Sequence, residues 1–192
     1  MTINVQQPRM DKATFLDWAE AREEHCELVG GRVVMVIRPV VGHALIIANL
    51  RDALRDRLSR EAWYVLSDCG IDTGPQTIRA PDVVVMSTGG DLKAKTASSP
   101  VLIAEVLSPS TATIDLGDKV AEYLRLPSLL AYLVVAQDEP KLWLFLRGTE
   151  GFGAPQVIAG LDASVAIPAL GLDLPLAEIL AGVHAGEAPQ AS

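Results

Sequence analysis

The sequence predicts an α/β fold in which a mixed β-sheet is flanked by helices. Three stretches carry that prediction. Val101 to Leu107, VLIAEVL, is an apolar run of strand length, the pattern of a strand buried on both faces. The segment from Asp115 to Leu124 follows with helical spacing, Leu116, Val120, Tyr123 and Leu124 forming one apolar stripe. Between His43 and Arg60, Ile46, Leu50, Leu54 and Leu58 fall at strict steps of four, which predicts a second, longer helix.

In chain order, Asp11 to Glu24 reads as a first helix with Phe15, Leu16, Trp18 and Ala19 on its apolar side. Leu28-Val29, Gly30-Gly31 and Arg32 to Ile37 read as a tight hairpin, closed by Pro39. After the long helix, Trp63–Ser67 and Gly70–Thr73 are short strands, and Gly74-Pro75 breaks the chain. Pro81 to Met86 is a second buried strand with an acid at its entry, and 89–100 is polar and loop-like. The Leu-Pro step at 126–127 closes the helix that Asp115 begins as N-cap, with Asp118 in the capping-box position. Leu129–Val135 and Leu142–Leu146 are two more strands, joined through Asp138-Glu139-Pro140. Gln156 to Leu180, punctuated by Pro168, Gly171 and Pro175, reads as irregular cover ending in a short helix. The expected organisation is one domain over 1–184 and a disordered tail over 185–192.

Composition narrows the function. At 192 residues, with 49% hydrophobic and 21% charged residues, the chain is long enough to bury a core. It has no apolar run of membrane-spanning length and no secretory h-region near its start, so a cytoplasmic, non-membrane protein is expected. Cys26 and Cys69 lie far apart and read as reduced thiols. A net charge of −8 argues against a general polyanion binder. The charge is uneven, however: residues 1–100 hold 12 Lys/Arg against 13 Asp/Glu, and residues 101–192 hold 4 against 11. Any nucleic-acid face is therefore expected among the arginines at 38, 51, 55, 57 and 60. The three histidines lack zinc spacing, and there is neither a nucleotide glycine loop nor a serine-hydrolase elbow.

The chemistry gathers on Glu27, Asp82, Glu105 and Lys119. Alternation puts Glu105 on one face with Ile103 and Leu107, where a carboxylate has to be paired, protonated or bound to a cation. If the strands bearing Asp82 and Glu105 are neighbours, the two acids converge, and their oxygens suit a hard ion such as Mg²⁺ or Mn²⁺. Lys119, one turn into its helix and off the apolar stripe, can swing back toward Glu105. Each piece has a plainer alternative. Pro81-Asp82 is common turn chemistry, Lys119 can pair with Asp115 on the surface, Glu27 can be a surface acid, and Glu105 can meet an arginine.

Taken together, Glu27-Leu28 after a helix, Pro81-Asp82-Val-Val-Val, Glu105-Val-Leu-Ser-Pro-Ser-Thr and Asp115-Leu-Gly-Asp-Lys119 resemble the Uma2 family of endonucleases. That family belongs to the PD-(D/E)XK restriction-endonuclease-like superfamily. The resemblance covers about Phe15 to Arg147. It implies a restriction-endonuclease-like core, a homodimer, and Mg²⁺- or Mn²⁺-dependent hydrolysis of DNA phosphodiesters by a metal-activated water. By that likeness Asp82 and Glu105 are metal ligands, Glu27 is an accessory acid from the first helix, and His43 matches a position often held by histidine. The superfamily lysine two residues after the second acid is replaced by Leu107, so its role falls to Lys119. Cys26 stands where such sequences often have tyrosine, and Leu129 to Leu133 keeps only Tyr132 of a commoner polar motif. Two other functions stay open: an inactive nuclease-fold interaction or regulatory module, and a phosphoesterase acting on something other than DNA.

Overall fold

The computed structural model describes residues 9–36, 39–107 and 116–184. The chain opens with helix α1, Lys12–Glu20, capped by the Asp11 carboxylate, which accepts from the Thr14 N–H at 2.8 Å. Strands β1 (Cys26–Val29) and β2 (Arg32–Met35) form the expected hairpin on Gly30-Gly31. Both glycines have positive φ, +56° and +79°, the two-residue turn that suits strand twist. A Cβ on Gly31 would also sit 3.2 Å from the Met10 carbonyl oxygen. Gly31→Val is therefore expected to destabilise the protein by about 2 kcal/mol, measured as a lower urea midpoint.

Helix α2, Val41–Arg57, is followed by β3 (Trp63–Leu66), β4 (Ile71–Gly74), β5 (Thr77–Arg79) and β6 (Val83–Ser87). Next come β7 (Pro100–Leu107), α3 (Asp118–Tyr123), β8 (Ala131–Ala136) and β9 (Lys141–Gly148). The end of the described chain holds β10 (Gly151–Phe152), β11 (Gln156–Ala159), β12 (Ser164–Ile167), β13 (Leu172–Pro175) and α4 (Leu176–Ile179).

The main sheet runs β10-β9-β8-β7-β6-β3, with β11 also on β9; a smaller sheet runs β2-β1-β5-β4. Within the main sheet β7 and β8 are parallel, joined by the α3 crossover, while the other paired strands are antiparallel. This is a mixed α/β architecture, as expected. Both faces of β7 are covered. Leu102, Ala104 and Val106 pack with Ile46, Leu50 and Leu54 of α2. Ile103 and Leu107 pack on the opposite side with Tyr123, Tyr132 and Val134. The alternation read from the sequence thus holds, and it puts Glu105 on the second face.

Three expectations need correction. The first helix stops at Glu20, so Glu27 lies on β1 rather than at a helix end. Thr77–Arg79, passed over as part of a chain break, is a strand that bridges β1 and β4. The stretch 156–180 is not irregular cover: β11 extends the main sheet, and β12 pairs with β13. Val165, Ile167 and Leu174 of that hairpin are wholly buried beneath the α2 face. The Asp115 N-cap, Ile37, Arg38 and the tail 185–192 fall outside the described residues.

Candidate active site

Asp82 immediately precedes β6, and Glu105 lies within β7. Val83 pairs with Ala104 in the antiparallel ladder, so one further step brings Asp82 opposite Glu105. Val106 N–H donates to Asp82 Oδ2 at 2.7 Å, tying the first acid to the second acid's strand. From the α2 side, His43 Nε2 comes to 3.4 Å of the same oxygen. The Asp82 side chain keeps 23% of its surface exposed, so this end of the sheet is open to solvent.

Glu105 is 3% exposed. Its Oε1 accepts from Lys119 Nζ at 2.9 Å and from Tyr123 Oη at 2.9 Å, both residues coming from α3. Lys119 is thus buried and meets Glu105, while the alternative partner Asp115 lies outside the described residues. Tyr123 is fully buried. Burial first, and the Glu105 charge second, push its phenol well above the usual tyrosine range. It therefore stays a hydroxyl donor.

Glu27, read as an accessory acid, is 5% exposed and already engaged. Its Oε1 accepts from Ala80 N–H at 3.0 Å and lies 3.9 Å from Lys119 Nζ. Its Oε2 accepts from Arg79 Nη1 at 2.9 Å. Arg79 also grips Glu122 with two 2.7 Å bonds, through Nε and Nη2. Burial opposes the Arg79 charge, but bonds to Glu122 and Glu27 outweigh it and raise the guanidinium further above its usual range. Thr73 Oγ1 completes the cluster, donating to Glu122 at 3.1 Å.

Burial likewise works against the Glu122 charge, yet the bonds from Arg79 hold its carboxyl below the ordinary 4.5. A depressed carboxyl stabilises the fold fully above that ordinary value and loses the contribution as pH falls through the folded value. Wild type is therefore expected to lose more stability than Glu122→Gln on acidification from pH 7 to below 4.5. Urea midpoints at the two pH values check this.

The structure thus gathers Asp82, Glu105, Lys119, Glu27 and His43 at one end of the main sheet. Sequence reading missed Arg79, Glu122 and the hydroxyl of Tyr123. The order Arg79-Ala80-Pro81-Asp82 offered one signal, a cation three residues from a candidate ligand. The arginines expected to face nucleic acid are partly engaged by neighbours on the protein's own surface. Arg57 forks onto Glu178, and Arg55 donates to the Val65 carbonyl.

The Val106 and His43 approaches both fall on Oδ2 of Asp82, and the Lys119 and Tyr123 bonds both fall on Oε1 of Glu105. Two carboxylates at adjacent strand positions fit a hard divalent ion, which commonly takes one or two carboxylates and completes its shell with water and phosphate. Among the described residues no group of three or more His, Cys, Asp and Glu side chains forms a closed metal cage.

Comparison with known proteins bears on the fold and the family. The chain is 28% identical over 147 residues to the uncharacterized protein slr1290 of Synechocystis sp., covering 75% of this chain and 77% of the relative. The fold matches the crystal structure of a "putative nuclease belonging to DUF820" from Anabaena variabilis. The TM-score is 0.70 at 16% identity, with 86% of this chain and 96% of that chain covered. The sequence model of the Uma2 family, described as "Putative restriction endonuclease", matches residues 13–177, and the chain belongs to that family.

Proposed function

We propose that this protein hydrolyses phosphodiester bonds in DNA, with Mg²⁺ or Mn²⁺ held by Asp82 and Glu105. One observation carries the reading: a buried lysine from the crossover helix rests on the Glu105 carboxylate, and the ladder register sets Glu105 opposite Asp82. Asp82 and Glu105 would hold such an ion, which when bound would offset their charge, polarise the phosphate and lower the pKa of a bound water. The chain's own groups hold the geometry. The Val106 N–H and His43 orient Asp82, and Tyr123 holds Glu105. The Lys119 ammonium, 2.9 Å from Glu105 Oε1, would offset anionic charge growing on the phosphoryl oxygens. A water oxygen adds to phosphorus as the bond to the leaving 3′ sugar oxygen breaks in line; the water's proton passes to solvent and the leaving oxygen takes one from solvent, giving a 5′-phosphate and a 3′-hydroxyl. The active species is a homodimer, which light scattering after gel filtration tests.

Supercoiled plasmid is the direct substrate: wild type with Mg²⁺ or Mn²⁺ is expected to nick it. Calorimetry separates the site from the chemistry. Wild type gives heat with millimolar Mn²⁺ (order of magnitude for weak carboxylate sites), and Asp82→Ala gives none. Heat of equal size from both proteins would remove Asp82 as a ligand.

A second reading has its own support. The net charge of −8, and the pairing of Arg57 with Glu178 and of Arg55 with the Val65 carbonyl, weigh against a broad basic face for a duplex. A smaller phosphate ester needs no such surface, and cleavage of a chromogenic phosphodiester without plasmid nicking would favour it.

A further inference from the structure

Among the described residues Lys119 has two buried carboxylates within reach and lies nearer one. Its Nζ is 2.9 Å from Glu105 Oε1 and 3.9 Å from Glu27 Oε1. Both acids are buried, so attraction alone does not choose between them. The difference lies in what else they hold. Glu27 already accepts the Ala80 N–H on one oxygen and the Arg79 guanidinium on the other. Arg79 is itself aimed by its two-bond fork on Glu122. Glu122 stands three residues after Lys119 on α3, so one short helix carries both the ammonium and the carboxylate that fixes the guanidinium.

Resting on the nuclease reading above, we infer that Arg79 is a positioning residue that occupies Glu27 and thereby keeps Lys119 on Glu105. Without the guanidinium, the Glu27 carboxylate has one amide for company and draws the ammonium across. Lys119 then leaves the metal-ligand side of the site. Glu27 on this account does not react. It is the competitor that Arg79 holds in check.

The test is a rescue. Arg79→Gln keeps donors in the cleft but removes the charge. Its kcat for plasmid nicking with Mn²⁺ is expected to fall about 10- to 100-fold, the scale of an ångström misplacement, with KM changed by less than about 2-fold. Adding Glu27→Gln removes the competing charge, so the double variant is expected to regain most of the lost kcat. A brace that merely supports the fold would be weakened further by losing a second member. Crystal structures give a readout that needs no activity. Lys119 Nζ should move toward Glu27 in Arg79→Gln and return to Glu105 in the double variant.

No rescue, or a Lys119 that stays on Glu105 in the single variant, overturns the inference. If wild type cuts no DNA, the nuclease reading fails by itself, and the two structures still decide the positioning. Should Arg79→Gln not fold because Glu122 is stranded, Arg79→Gln/Glu122→Gln removes that charge too and takes its place in both arms.

Discussion

Glu105→Ala is expected to reduce Mg²⁺- or Mn²⁺-dependent nicking of supercoiled DNA by more than about 100-fold, more than the loss typical of an outer-shell partner. The carboxylate does two things at once in the proposed site. It supplies oxygen to the cation, and it anchors the Lys119 ammonium and the Tyr123 hydroxyl, each at 2.9 Å. Alanine removes both functions, whereas losing the His43 approach to Asp82 would remove only an orienting contact. The measurement is the initial rate of nicked-circle formation with equal protein under a metal titration. Equal rates from wild type and variant would assign the nicking to a contaminant and leave the protein as a non-cutting member of its family.

The second large effect falls on stability. Lys119→Met is expected to lower unfolding free energy by about 3–5 kcal/mol, because it breaks a buried ion pair with Glu105. Glu105 is 3% exposed, so water does not replace the ammonium. Combining Lys119→Met with Glu105→Gln takes away the stranded charge while keeping an acceptor for Tyr123. The double variant is therefore expected to be more stable than Lys119→Met alone, a coupling that urea titrations of the four proteins resolve. Simple addition of the two single losses would show that the pair contributes nothing beyond packing.

The sequence revealed β7 because its residues answer to one requirement, burial on both sides. That same requirement made Glu105 conspicuous. Lys119 was legible through its position off the apolar stripe of α3, and Asp82 through its place at the mouth of a valine run. Glu27 was visible as a residue but not as an environment. Its partner Arg79 is 52 residues away, on a three-residue strand whose only wholly apolar member is Ile78. No local pattern links two such positions. The β12–β13 hairpin was readable in principle, since 164–167 and 172–175 alternate buried with exposed residues. Pro168 and Gly171 read as breakers, whereas in the fold they form the 3-10 turn that lets the hairpin close.

Glu27 and Arg79 belong to the smaller sheet, Glu105 to the larger with Asp82 at its entry, and Lys119 and Glu122 to one helix that touches Glu27, Glu105 and Arg79. The links span 52 residues from Glu27 to Arg79 and 43 from Arg79 to Glu122. Ordering such distant segments carries an entropic penalty that no local contact repays. The centre consequently has no half-built form: a chain stopped short of residue 119 holds Glu27, Asp82 and Glu105 but lacks both the ammonium and Glu122.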